Sequence, residues 1–277
     1  MRRSGIWARA LAFVLLAGCG PAKETTTAPP PPPAPATVET LVREGQRLYA
    51  ARELDSASTA FAGALRLDST YLPALQQMAL LQYDIVMAEQ QKSERRLRAS
   101  RAARDAYERL ERQGVSESDI YERICELSVL LEDNKTFLRY AKKNAEKYPF
   151  DRQYYNLGLA YVEAGEYAGA IKTLKEATEK FPSSMYIGGF YRQLGKAYSG
   201  IDRDQTAERT YTAGLKVVEK RLELLGAATG SPSPERRRLV DDKIAMLLAL
   251  KKLHQTYKQT DKLREVERQL KEAGYDK

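Results

Sequence analysis

The 277-residue sequence has one histidine, two cysteines and one tryptophan. A histidine-dependent nucleophilic triad or a histidine metal site would need partners beside His254 that the sequence does not offer. His254 sits among Lys251, Lys252 and Lys258 and reads as a solvent-facing polar residue. Two cysteines, Cys19 and Cys125, allow one intramolecular disulfide at most. No glycine-rich phosphate loop is present, since Gly188-Gly189 leads into a helical pattern and does not follow a strand. No strand-period alternation occurs. Charge of a single sign is missing too: 45 basic residues face 37 acidic ones, mixed along helical segments, so the field expected of a nucleic-acid binder is not there. The longest apolar run, Ala10 to Ala17, is too short to span a bilayer. These shortages point away from an enzyme, a metal site, a cofactor and a nucleic-acid partner.

What is present begins with order at the amino terminus. Arg2, Arg3 and Arg9 precede the apolar run, and small residues follow it, which is the layout of a secretory signal peptide over residues 1–18. The segment Leu16-Ala17-Gly18-Cys19 resembles the bacterial lipobox. That resemblance implies cleavage before Cys19 and acylation of its sulfur and new amino group, a palmitate-type lipid being the only covalent group expected. Two or three chains would hold the protein on a membrane, where one gives only marginal binding. Gly20 after the cysteine, where Asp would favour inner-membrane retention, implies a bacterial outer-membrane location facing the periplasm, with inner-membrane anchoring as the alternative. Without residues 1–18 the chain has three fewer basic residues, 42 against 37 acids. With Cys19 lipidated, Cys125 has no partner and reads as buried packing.

Residues 19–37 hold Thr25-Thr26-Thr27 and the run Pro29 to Pro33, a composition that favours extended polyproline II. Such a tether reaches about 50 Å when drawn out.

From Val38 on, the pattern is helical. The stretch Tyr154 to Pro182 places Tyr154, Leu157, Gly158 and Tyr161 on one helix face, turns at Ala164-Gly165-Glu166, and places Ala170, Leu174 and Ala177 on a second. Phe181-Pro182 ends it. Gly158 and Ala170 allow close approach while Tyr161 and Leu174 fill the space beside them. This segment resembles a tetratricopeptide repeat, a 34-residue helix–turn–helix unit. Similar spacing recurs, in less regular form, at 38–71, 72–117, 118–151 and 188–225, with the second unit stretched and turning near Lys92-Ser93. Residues 226–234 (GAATGSPSP) read as a flexible loop, and 235–277 as a last helical pair, a degenerate or capping repeat. The expected fold is all-α, a superhelix of five or six helix pairs.

The resemblance also implies a function, because such solenoids bind partners along the groove lined by the first helix of each repeat. Carried onto this chain, its inward positions select Tyr83, Glu122, Glu126, Arg152, Tyr155, Leu159, Arg192 and Lys196, with Gln76 and Leu80 in the second repeat and Val42, Gln46 and Tyr49 in the first. Asn156 matches one position of the carboxylate-clamping members, but Glu122 and Glu126 stand where Lys and Asn are needed. Arg95, Arg96, Arg98, Arg101 and Arg104 crowd one helix, with Glu94 and Asp105 sharing the face of Arg98 and Arg101, and read as a salt-laced exposed surface, with contact to lipid phosphates or an acidic partner as the alternative. The whole layout resembles type IV pilus pilotins, with peptidoglycan-hydrolase adaptors and the repeat lipoprotein of the barrel-assembly machinery as alternatives. It implies a membrane-tethered scaffold that takes envelope proteins in its groove, touches the membrane through its lipid, and binds no nucleic acid.

Overall fold

The computed structural model describes residues 36–226 and 231–275. Cys19, the signal segment, the tether up to residue 35 and residues 227–230 of the loop lie outside the described residues. Among those described there are twelve α-helices and no strand. They are α1 (Val38–Ala50), α2 (Leu54–Leu67), α3 (Leu72–Ala88), α4 (Glu94–Arg112), α5 (Ser118–Leu130), α6 (Asn134–Lys147), α7 (Asp151–Glu163), α8 (Tyr167–Lys180), α9 (Ile187–Ser199), α10 (Asp204–Leu224), α11 (Pro234–Thr256) and α12 (Thr260–Glu272). Each of these helices packs on the next in sequence, and the only other pairs among them that pack together are α1–α3, α7–α9 and α9–α11. Packing restricted to near neighbours defines an all-α solenoid, here of six pairs.

Within a pair, a small residue on the first helix receives a large one from the second. A Cβ on Gly45 would stand 2.5 Å from the Phe61 ring, one on Gly158 2.3 Å from Leu174, and one on Gly195 2.3 Å from Tyr211. Those large partners are almost fully buried. Cys125 takes the same place in α5, buried with its Sγ 3.9 Å from the Phe137 carbonyl. Burial pushes its thiol well above the usual range, so it is a packing residue and not a thiolate.

The turns repeat with equal regularity. Seven residues after each small position stands a residue in the left-handed region: Arg52 (φ 64°), Glu132 (φ 57°), Gly165 (φ 74°) and Asp202 (φ 58°). Beside each, a backbone N–H reaches back five residues at 2.9 Å, from Glu53 to Leu48, Asp133 to Ser128, Glu166 to Tyr161 and Arg203 to Tyr198. This is the bond that closes a Schellman turn and satisfies a helix-end carbonyl. The last pair has it as well: Lys258 has φ 53°, and the Gln259 N–H donates to the His254 carbonyl at 2.9 Å. The pair α11–α12 is therefore closed by the same turn as the others, although Lys251 stands at its small-residue position. A left-handed lysine costs about 1 kcal/mol relative to glycine.

That register corrects the reading of His254. It occupies the place of Leu48, Tyr161 and Tyr198 and is buried, with Nδ1 2.8 Å from Gln259 Oε1 across the turn. It is not solvent-facing. The neighbouring lysines suggested exposure, but Lys252 is two residues away on another face, Lys258 lies in the turn beyond the helix, and Lys251, on the same side, is itself partly covered and pairs with Glu267.

The second pair departs from the rule. Val86, seven after Ala79, is buried within a helix that continues to Ala88, and the chain turns through 89–93 before Ser93 caps α4 by accepting from the Arg96 N–H. The arginines of α4 pair mostly across helices: Arg95 with Asp55 and Glu89, Arg104 with Asp133 at 2.9 Å. Asp105 pairs with Arg109, not with Arg98 or Arg101 as the helical spacing suggested.

Two glycines set the spacing between first helices. A Cβ on Gly189 would come 2.5 Å from the Tyr155 ring of α7, and one on Gly188 2.8 Å from Asp242 of α11. The equivalent of Gly189, six residues before the small position, is Arg152 in α7 and Asp119 in α5. No glycine therefore brings those helices together as Gly189 brings α9 to α7. Accordingly the backbones of α3, α5 and α7 do not pack against one another.

Candidate functional site

In that spread region the first helices present a graded face. Along α3 it runs Leu80, Tyr83, Met87; along α5 Glu122, Glu126, Val129; along α7 Arg152, Asn156, Leu159. Positions three, four and seven apart lie on one helix side. Each row ends on an apolar residue at its carboxyl end, so Met87, Val129 and Leu159 gather together. They border a pocket of about 410 Å³ whose wall is completed by Cys125, Leu130, Phe137 and, from the start of α4, Arg96. Met87 and Val129 are half exposed, at 50% and 48%.

The polar end is neutralised internally. Arg152 Nη1 lies 2.9 Å from Glu122 and Nη2 3.7 Å from Glu126. Gln153 donates to Glu122 at 2.8 Å, and Tyr83 Oη to Glu126 at 2.6 Å. Burial raises the Glu122 pKa, opposed by Arg152 and reinforced by Glu126 and Asp119. Burial and then the bond to Glu126 push Tyr83 up to about 12, so it remains a donor. Arg123 stacks on the Tyr83 ring, 4.1 Å from its centroid.

The eight residues selected from the sequence do not form one site. Tyr83, Glu126, Arg152 and Leu159 line the pocket, and Glu122 is bonded to Arg152 beside it. Tyr155 and Arg192 go elsewhere, to the junction of α7, α9 and α11. There Tyr155 stacks on Tyr186 with centroids 5.3 Å apart and accepts from Arg192 Nη2 at 2.9 Å. Arg192 Nε lies 3.1 Å from Asp242 Oδ1, but its N–H is not aligned for a hydrogen bond and Asp242 Oδ2 has no partner. Burial, only partly offset by Arg192 and Arg238, pushes Asp242 up to about 6. Lys196 pairs with Glu163 at 2.9 Å on the surface. In the first repeat Val42 is buried, and Tyr49 donates to Asp84.

Met87, Val129, Phe137 and Arg96 were not among the selected residues. Val129 follows Glu122 by seven residues and could have been found from helical spacing. Arg96 and Phe137 come from second helices, and no spacing along α3, α5 or α7 reveals them.

A second hollow of about 390 Å³, at the start of α10, is lined by Asp202, Arg203, Asp204, Thr206, Glu208 and Tyr257. Its wall is mostly polar, and its exposed aromatic residue, Tyr257, already donates to Asp204 at 2.7 Å. No group of three or more His, Cys, Asp or Glu converges to hold a metal ion among the described residues, and none of their helices is long and apolar enough to cross a membrane.

No protein-family model matches the chain. A stretch of 93 residues is 33% identical to the protein O-mannosyl-transferase tmtc2 of Xenopus laevis, and 62 residues are 36% identical to TMTC2 of Homo sapiens. The match takes in 31% of this chain and 11% of the frog protein, so the chain spans about a tenth of the length of the curated relatives it matches. Among solved structures, MamA superposes with TM-score 0.51 at 17% identity, over 69% of this chain and 97% of that one. YrrB, described as a TPR protein with an unusual peptide-binding site, gives 0.49 at 18% identity over 64% and 84%. PilW, a type IV pilus biogenesis factor, gives 0.47 at 14% over 84% and 91%. At this identity the likeness to MamA shows the all-α helical-repeat fold and nothing finer.

Proposed function

We propose that this protein is a non-catalytic protein–protein interaction scaffold, tethered by lipid on Cys19 to the periplasmic side of the bacterial outer membrane, that assists assembly of an outer-membrane machine such as a pilus secretin. The observation that carries the binding role is the apolar pocket bordered by Met87, Val129 and Leu159. Half-exposed apolar side chains collected at the end of three helices gain free energy when a partner covers them, at roughly 25 cal/mol per Å². The tether and location rest on Leu16-Ala17-Gly18-Cys19 and the proline run behind it. No cofactor enters this function; the lipid is the only added group.

Two measurements test it. Replacing Cys19 with Ser should move the protein from the membrane fraction to the soluble fraction; retention on the membrane would remove the lipid anchor from the reading. A photo-crosslinking residue at Val129 or Leu159, in cells, should capture a single secretin or other outer-membrane pore protein. Capture of a peptidoglycan hydrolase would replace assembly with the adaptor role, and capture of the barrel-assembly machinery would place the scaffold there. A folded protein that captures nothing at either position would remove the groove as the working face.

A further inference from the structure

The pocket carries a charge imbalance that specifies its occupant more closely. Its carboxylates are already met: Glu126 accepts from Tyr83 and lies within ion-pair distance of Arg152, and Glu122 is held by Arg152 and Gln153. Of its two arginines, Arg152 is met by Glu122 and Arg96 is not. Arg96 Nε is buried without a partner, and the one bond made by the guanidinium is a long one, 3.3 Å from Nη1 to the Gln90 carbonyl. Arg96 makes no ion pair with any described carboxylate. A guanidinium whose buried donor is unpaired, beside an uncovered apolar surface, favours an acceptor with negative charge.

We infer that the pocket seats an apolar side chain of a partner segment whose neighbouring Asp or Glu carboxylate binds Arg96. This rests on the binding role of the groove proposed above. The apolar surface supplies affinity and the guanidinium supplies selection by charge, since a basic neighbour would leave two cations facing each other in a partly desolvated site. Leu80, 43% exposed, lies on α3 beyond the pocket wall, so the segment extends from the pocket over this residue as well.

The test uses the full chain and fluorescent twelve-residue peptides, amidated at the carboxyl end, with a central Leu followed by Asp, Asn or Lys. Fluorescence anisotropy should rank Asp over Asn over Lys, with about ten-fold between the extremes, narrowing as salt is raised. R96Q should remove that ranking while leaving the Asn peptide bound as before. V129D should abolish binding of all three, with circular dichroism confirming that both variants stay folded. Equal binding of Asp and Lys peptides, or a ranking that survives R96Q, overturns the inference while the groove stands. A free-acid peptide ending in Leu that outcompetes the internal Asp peptide overturns it in favour of a terminal carboxylate. If no peptide binds, the inference falls, and the crosslinks at Val129 and Leu159 decide the groove separately.

Discussion

Asp242 shows what one side chain does at the joint between pairs. Its carboxylate lies against the backbone of Gly188, which has no side chain to displace it, and it meets Arg192 at a poor angle. Burial outweighs the arginines, so the folded protein holds this proton more tightly than the unfolded chain. The sign follows from linkage: a raised folded pKa contributes stability that is present below the unfolded value near 4 and is lost as pH rises through about 6. The full shift corresponds to about 3 kcal/mol at most. Thermal melts of the wild type and Asp242→Asn should therefore diverge between pH 5 and pH 7.5. The variant should be the more stable of the two at the higher pH, and its melting temperature should change less across that range. Equal pH slopes would show that Asp242 titrates as an exposed carboxylate.

At the scale of elements, the spacing between first helices is set by what stands six residues before each small position. Gly189 brings α9 against Tyr155, whose ring is pinned by the Tyr186 stack and the bond from Arg192. Where Arg152 stands in place of that glycine, α7 does not pack backbone to backbone on α5, and residues of both helices line the pocket. Gly189→Ala should cost about 1–3 kcal/mol, because a ring held on two sides cannot swing away from the added methyl. Helix propensity works in the opposite direction by at most about 1 kcal/mol. Urea unfolding measures the balance, and an unchanged midpoint would mean that Tyr155 moves freely. The repeated five-residue turn bond is an element-scale rule as well, and it holds whether the left-handed residue is Gly165 or Lys258.

Across the whole molecule, stability passes from pair to pair, because no described helix packs on another more than two places along the chain. The apolar core follows the same order in two clusters, one built mainly from α1 to α6 and the other from α8 to α12. The last pair buries Leu239, Met246, Leu247 and Leu250 and covers one side of α9 and α10. Removing residues 227–277 should uncover α9 at Gly188 and α10 at Gly214, against which Asp242 and Met246 of α11 lie. Hydrogen exchange should then accelerate in α9 and α10 and stay unchanged in α1 to α6. Uniform loss of protection would instead indicate a single cooperative unit.

The sequence by itself determined the helices, their pairing and the all-α repeat architecture. Small residues such as Gly45, Gly158 and Gly195 recur with a large partner downstream, and that local periodicity survives in any context. It also placed Tyr83, Glu126, Arg152 and Leu159 on the faces that line the pocket, through the inward positions of the repeat that it resembles. Only the tertiary structure decided that Tyr155 and Arg192 are taken up by α9 and α11, that His254 is buried, and that Arg96 and Phe137 complete the pocket. The physical reason is that spacing within a helix fixes direction about its own axis, whereas the distance between helices depends on side chains from both. Where Gly188 and Gly189 allow contact, charged residues become internal; where no such glycine stands, between α3, α5 and α7, the backbones do not pack and apolar residues are left uncovered.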